Sequence, residues 1–284
     1  MPAVGNQKNL RRTDEFSAAG SLYAEKDFWG DMTVSSESGQ LTGKRVVVIG
    51  GSRGVGIEIA ELASAQGARV LAVARTQRDL DSLANRGMDT LALDATADAA
   101  PKTVFQTEKP DLLVICGGAT PRSLPIPDLS WTEFSINWDV DVKMSFLFCQ
   151  EALRAPLAPG SVVVIIASGA GLGGSPLGGG YSGAKRTQMF LAKHSQAESD
   201  RRELGIRFMA LVPTRIMPET ELGRSALDGY VRYLGIPGEQ FLANMGARQS
   251  PADVARAVLN AATKPPAETG SIFTISPDGV AAVD

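Results

Sequence analysis

Histidine and cysteine are scarce in this chain: His194 stands alone, and Cys116 and Cys149 are the only thiols in 284 residues. Two cysteines cannot staple a fold of this size, and no metal-ligand spacing joins the histidine to either of them. A disulfide scaffold and a histidine–cysteine metal site are therefore not expected. His194 reads as structural or exposed, and both thiols lie in apolar stretches suited to a reducing cytoplasm. An excess of positive charge is missing too. With 28 basic and 31 acidic residues the formal net charge is -3, whereas nucleic acid or an anionic membrane would require concentrated positive charge. No apolar run approaches the ~20 residues needed to span a bilayer, and Met1 to Leu10 has no apolar core of a secretory signal. A soluble, intracellular protein with a small-molecule partner is the expectation.

What is present is a hydrophobic content of 44%, enough for one α/β domain plus an extension. Residues 1–42 are largely polar, and Phe16, Tyr23, Phe28 and Trp29 are their only large aromatic side chains. Two readings stay open for them: docking onto the main domain or a neighbouring subunit, or a partly ordered tail. From Lys44 onward, short β-branched runs alternate with stretches of helical period, which implies a parallel sheet covered on both faces. Strands are expected at Arg45–Ile49, Arg69–Ala74, Thr90–Leu93, Asp111–Cys116, Ser161–Ala167, Ile206–Val212 and Ser271–Ile275. Helices are expected at Val55–Gln66, Gln77–Asn85, Glu133–Leu153, Gly183–Glu203 and Pro251–Ala262.

The first strand runs into Gly50-Gly51-Ser52-Arg53-Gly54-Val55-Gly56 and then into a helix. Glycines in that setting let the backbone approach a pyrophosphate, and the amides and dipole of the helix N-terminus favour its charge. A dinucleotide site over Gly50, Ser52, Arg53, Gly54, Val55 and Gly56 is expected, the alternative being a plain strand-to-helix connection. The second strand ends Val73-Ala74-Arg75, without the acid that commonly takes the ribose hydroxyls of NAD. Arg53 and Arg75 can instead form a cationic clamp for a 2′-phosphate, so NADP(H) is favoured over NAD(H). The alternative is that both arginines are ordinary solvated residues.

Tyr181 and Lys185 are four residues apart. On a helix that puts both on one face, where the ammonium can stabilise phenolate and lower the tyrosine pKa toward working pH. Such a tyrosine can give a proton to a carbonyl oxygen as hydride reaches the carbon, or take it back in reverse, and Ser168 can hold that oxygen. A surface tyrosine beside a solvated lysine, with Ser168 a strand-end cap, is the bland alternative.

Taken together, these features resemble the short-chain dehydrogenase/reductase family, from roughly Leu41 to the C-terminus. Its glycine motif corresponds to Gly50, Gly54 and Gly56, its Tyr-x-x-x-Lys motif to Tyr181 and Lys185, and its serine to Ser168. The resemblance implies a single Rossmann-type, doubly wound parallel β-sheet with helices on both faces, occupying 43–284. It implies Asp94 near the adenine, Lys185 also on the nicotinamide ribose, Gly117 and Pro213 beside the cofactor, and a substrate lid at about 214–248. Dimers or tetramers are implied as well. Met217, Leu222, Tyr230, Tyr233, Leu234, Phe241 and Met245 in the lid either line an apolar or aromatic carbonyl/alcohol substrate or pack the lid down.

The chain departs from the family at four places. Ile49 replaces a threonine, and Ile115-Cys116-Gly117-Gly118 an Asn-Asn-Ala-Gly run, so an apolar contact of Ile49 with Ile115 or Cys116 is expected in place of a polar tie. Cys116 itself is read as a small buried thiol or as a redox sensor. Asp141 aligns with the family's asparagine; it either supports a proton relay or pairs with Lys185 and weakens the lysine's effect on Tyr181. Pro213-Thr214 stands where Pro-Gly is usual. A nucleotide-sensing or scaffold protein on the same fold is the competing function, because fold does not fix function. The retained Ser168, Tyr181 and Lys185 favour an enzyme.

Overall fold

The computed structural model describes residues 40–263 and 271–283, so the expectation for the aromatic residues of the N-terminal extension lies outside the described residues. The order is β1 (Arg45–Ile49), α1 (Gly54–Ala65), β2 (Arg69–Ala74), α2 (Gln77–Ala84), β3 (Asp89–Ala92), α3 (Ala100–Thr107) and β4 (Leu112–Ile115). There follow α4 (Trp131–Asn137), a π turn (Trp138–Val142), α5 (Lys143–Arg154), β5 (Val162–Ile166), the single turn α6 (Ala170–Gly173), α7 (Gly179–Arg201) and β6 (Arg207–Pro213). The chain closes with α8 (Glu221–Leu234), α9 (Gly238–Asn244), α10 (Pro251–Thr263), β7 (Ile272–Ser276) and β8 (Gly279–Ala282).

The eight strands form one sheet in the order β3-β2-β1-β4-β5-β6-β7-β8. Every pairing is parallel except the last, where β8 runs antiparallel to β7. The central strands are apolar at nearly every position because helices cover both faces. Alternation along β1 shows the two layers: Val46 and Val48 join one core with Ile59 of α1 and Val258 of α10. Val47 and Ile49 join the other with Phe148 of α5 and Met189 of α7. Strand order reverses direction between β1 and β4, which is where such sheets open a crevice for ligands at their C-terminal ends. At that edge Ile49 stands opposite Ile115 in register, and the Cys116 N–H donates to the Ile49 carbonyl at 2.9 Å. The two segments therefore meet through apolar side chains and one backbone bond.

Several elements differ from the sequence expectation. The helix expected over Glu133–Leu153 begins earlier, at Trp131, because Ser130 and Glu133 form a reciprocal capping box. It is also interrupted by the π turn that carries Asp141. Helices α3, α8 and α9 and the antiparallel β8 were not foreseen. Helix α8 starts where it does because the Thr220 side chain accepts from the Gly223 N–H at 2.9 Å.

Candidate active site

The turn after β1 works by removing side chains where backbones must meet. Gly50 has φ +81°, and a Cβ there would lie 2.5 Å from the Gly117 backbone; a Cβ on Gly56 would lie 2.1 Å from the Gly50 carbonyl oxygen. The Gly50 and Gly51 N–H groups both donate to the Val73 carbonyl, at 2.8 and 3.1 Å, which ties the turn to β2. Gly54 opens α1, Val55 is buried, Ser52 is partly exposed, and Arg53 precedes the helix in extended backbone. Arg53, the residue before α1, makes no side-chain cap to the helix, and leading amides at a helix start of this kind fit the phosphates of a dinucleotide.

Arg53 is engaged: its guanidinium pairs with Glu221 in the first turn of α8. Glu221 also accepts from the Thr120 hydroxyl at 3.3 Å. This pairing, 168 residues apart in sequence, was not foreseen. Arg75 is exposed at the end of β2. Asp94 is exposed as well and accepts from the Thr96 N–H at 2.9 Å and its hydroxyl at 2.7 Å. Those bonds, helped by Arg75 and Lys143, hold the Asp94 carboxyl below its usual range.

Beyond the C-terminal end of β5, Ser168 lies near Tyr181 and Lys185 on α7. Lys185 is buried, with its Nζ 5.6 Å from the Tyr181 ring centroid, 3.1 Å from the Ile166 carbonyl and 3.2 Å from Asp141 Oδ2. Burial alone would lower the lysine pKa, but the charge of Asp141, with Tyr181, carries it upward. Of the two roles offered to Asp141, the structure therefore forms the ion pair.

The expectation that Lys185 brings the tyrosine pKa down needs correction. Desolvation raises the Tyr181 pKa and outweighs the lowering by Lys185 and by a hydrogen bond with Ser168; Asp141 and Cys116 push it further up. The net direction is upward.

Asp141 is 1% exposed and held from several sides. Its Oδ1 accepts from the Ala119 N–H at 2.9 Å and from Asn137 Nδ2 at 3.2 Å. Asn137 Nδ2 also donates to the Ala119 carbonyl at 2.8 Å, and Gln188 Nε2 donates to the Asp141 carbonyl at 3.2 Å. Asn137 was missed in the sequence, although its place four residues before Asp141 was the available signal. Gly180 was missed as well: a Cβ there would lie 1.7 Å from the Phe134 carbonyl oxygen, so α7 can press against α4 just before Tyr181.

Pro213 is buried at the end of β6 and its carbonyl accepts from the Gly169 N–H at 2.8 Å. Thr214 needs no glycine-like backbone, since Glu203 is the one non-glycine residue with positive φ among the described residues. In the 214–248 segment, Tyr230 stacks on Phe241 at 4.6 Å and shares a hydrogen bond of 2.5 Å with Ser175. Met217 packs against the core. At least these side chains hold the segment down.

Burial pushes the Cys116 thiol up to about 11 and Cys149 up to about 12, the behaviour of unreactive thiols and not of a redox sensor. His194 is exposed with its ring 6.3 Å from that of Phe190. Among the described residues no group of His, Cys, Asp and Glu could hold a metal ion, and no helix is long and apolar enough to cross a membrane.

The chain is similar to known proteins over most of its length. Zerumbone synthase of Zingiber zerumbet is 29% identical over 246 residues, covering 79% of this chain and 90% of its own. L-xylulose reductase of Bos taurus is 29% identical over 191 residues, covering 66% of this chain and 77% of its own. Two solved structures share the fold. A short chain dehydrogenase from Mycobacterium avium matches with a TM-score of 0.67 at 21% identity, over 87% of this chain and 86% of its own. A 3-ketoacyl-(acyl-carrier-protein) reductase from Brucella melitensis, complexed with NADH, has a TM-score of 0.67 at 21% identity, over 82% and 97%. The short chain dehydrogenase pattern itself runs through residues 44–228, and the chain accordingly belongs to that family of oxidoreductases, which bind a nicotinamide cofactor.

Proposed function

We propose that this protein interconverts a ketone or aldehyde and an alcohol, using NADP(H) in preference to NAD(H). The observation that carries the reading is the meeting of Ser168, Tyr181 and buried Lys185 beyond the end of β5, on the sheet that bears the glycine turn. The nicotinamide supplies or accepts the hydride. Tyr181 gives its proton to the substrate oxygen during reduction and takes it back in the reverse direction. Ser168 holds that oxygen, and Lys185, kept charged by Asp141, stabilises the phenolate left behind and binds the ribose.

Gly50, Ser52, Arg53, Gly54, Val55, Gly56 and Gly117 would hold the dinucleotide, Arg53 and Arg75 would take its 2′-phosphate, Asp94 would serve the adenine and Pro213 would border the nicotinamide. Residues 43–284 act as one dinucleotide-binding domain, and the 214–248 segment serves as lid over an apolar or aromatic substrate. A homodimer or homotetramer in the cytoplasm is part of the proposal. Exposed Trp131, Trp138, Phe146 and Phe190 on α4, the π turn, α5 and α7 support the assembly, and two free thiols suit the compartment.

The competing reading, a nucleotide-sensing or scaffold protein, draws support from Asp141 in place of the family's asparagine. The test is calorimetry with NADPH and NADH on the parent and on Arg75→Ala, followed by a carbonyl panel with the preferred cofactor. An NADPH preference that collapses in Arg75→Ala, with turnover lost in Tyr181→Phe, supports the enzyme. Binding without turnover of any carbonyl favours the sensor, and no binding of either cofactor removes the oxidoreductase reading.

A further inference from the structure

Glu221 has no place in the hydride chemistry, yet it holds Arg53 of the glycine turn. It lies in the first turn of α8, and its carboxylate reaches Arg53, which precedes α1, and Thr120, in the loop after β4. The preceding residue, Thr220, brings its methyl to 3.5 Å from the point where a Cβ on Gly54 would stand. The start of α8 thus bridges the loops that follow β1 and β4, the two strands flanking the crevice.

We infer that Glu221 is a specificity-determining residue that competes with the cofactor's 2′-phosphate for Arg53. The inference rests on the proposal that Arg53 serves that phosphate. In the free chain the guanidinium already has an anionic partner, so a dinucleotide carrying the extra phosphate must exchange one carboxylate for one phosphate group. A dinucleotide without it leaves the Arg53–Glu221 pair in place. Glu221 therefore narrows the advantage that Arg53 and Arg75 would otherwise give to the phosphorylated cofactor. Both partners are more than half exposed, at 57% and 58% of the side chain, so the competition is a modest one. An exposed pair of this kind corresponds to about a two- to fivefold change in an equilibrium constant.

The experiment compares NADPH and NADH dissociation constants by calorimetry on the full chain, Glu221→Gln, Arg53→Ala and the double variant. Glu221→Gln is expected to raise the ratio of the NADH to the NADPH constant about two- to fivefold at low salt. The rise should vanish in the Arg53→Ala background and at ~1 M salt, where charges are screened within a few ångströms. An unchanged ratio, whether neither cofactor responds or both tighten by the same factor, overturns the role of Glu221 while leaving the dinucleotide site standing. A rise that persists without Arg53 also overturns it. Failure of the parent to bind either cofactor overturns both this inference and the reading of the site.

Discussion

Replacing Asp141 by asparagine removes a negative charge that works on Tyr181 through space while nearly preserving shape. The carboxylate oxygen is 3.2 Å from Lys185 Nζ, and that nitrogen is 5.6 Å from the tyrosine ring centroid. Laid end to end, these separations put the Asp141 oxygen no farther than about 9 Å from the ring, where a unit charge at an effective dielectric of about 20 is worth about 2 kcal/mol. Tyr181 is partly exposed, which screens that figure, and its pKa is expected to fall in the variant. The sign follows from the charge: removing an anion favours phenolate, provided Lys185 keeps its proton through the Ile166 carbonyl and Tyr181. Alcohol oxidation needs phenolate as the base, so the rising limb of its kcat/KM–pH profile should move to lower pH in Asp141→Asn, and at a fixed pH on that limb the variant should run up to about tenfold faster. The assay is initial-rate oxidation from pH 6 to 11 on parent and variant, with thermal melts to confirm folding. An unmoved limb refutes the coupling. A limb that moves upward refutes it too, because Lys185 would then have lost its charge along with its partner.

Three further outcomes are expected. Gly180→Ala would drive a methyl into the Phe134 carbonyl; stability should fall by about 1–3 kcal/mol in urea titration, and displacement of Tyr181 should cut kcat by about a hundredfold. An unaltered kcat would show that Gly180 does not place the tyrosine. Asp111 accepts three hydrogen bonds from Arg45, which hold its carboxyl below the usual range. Asp111→Asn should therefore lose about 1–2 kcal/mol at pH 7. Because the folded pKa is depressed, the parent's advantage exists above the ordinary carboxylate pKa and should shrink as pH falls through the lower, folded value; a gap that widens in acid would reverse the sign. Finally, with Cys116 at about 11 and Cys149 at about 12, on the order of one thiol in a thousand or fewer is ionised at pH 8. Ellman's reagent should label both quickly in guanidinium and neither quickly in the native protein; rapid native labelling of Cys116 would revive the sensor reading.

The parts of this molecule that were legible beforehand are those where a local pattern has one physical outcome. Buried strands such as Val46–Ile49 and Val162–Ile166 are apolar at every position because both faces are covered. Tyr181 and Lys185 meet because helical geometry joins residues four apart. What escaped was set by partners distant in sequence. Glu221 reaches Arg53 across 168 residues of chain, and Gly180 matters because the Phe134 carbonyl of α4 lies against it. β8 reads Gly-Val-Ala-Ala, with one buried side chain, too little alternation to announce a strand. The direction of the tyrosine pKa was missed because sequence spacing shows the lysine but not the extent of desolvation, which outweighs it here. Conversely, the option that Asp141 pairs with Lys185 came from its alignment with the family's asparagine, and the 3.2 Å separation decided it.

The wide turn at Trp138–Val142 has a consequence for how this helix can change over time. A π turn holds one residue more than a regular helix would, and deleting it would restore ordinary hydrogen bonding. The extra residue is absorbed within the wide turn, so the helix after it keeps its facing and Met144, Phe148 and Cys149 stay in the core beneath the sheet. In a regular helix, one residue gained or lost instead swings everything after it by about 100° about the axis. A change of length within Lys143–Arg154 would therefore turn those side chains and exposed Phe146 off their present faces. The wide turn is the one place in this helix where the chain can shed a residue without unpacking that layer of the protein.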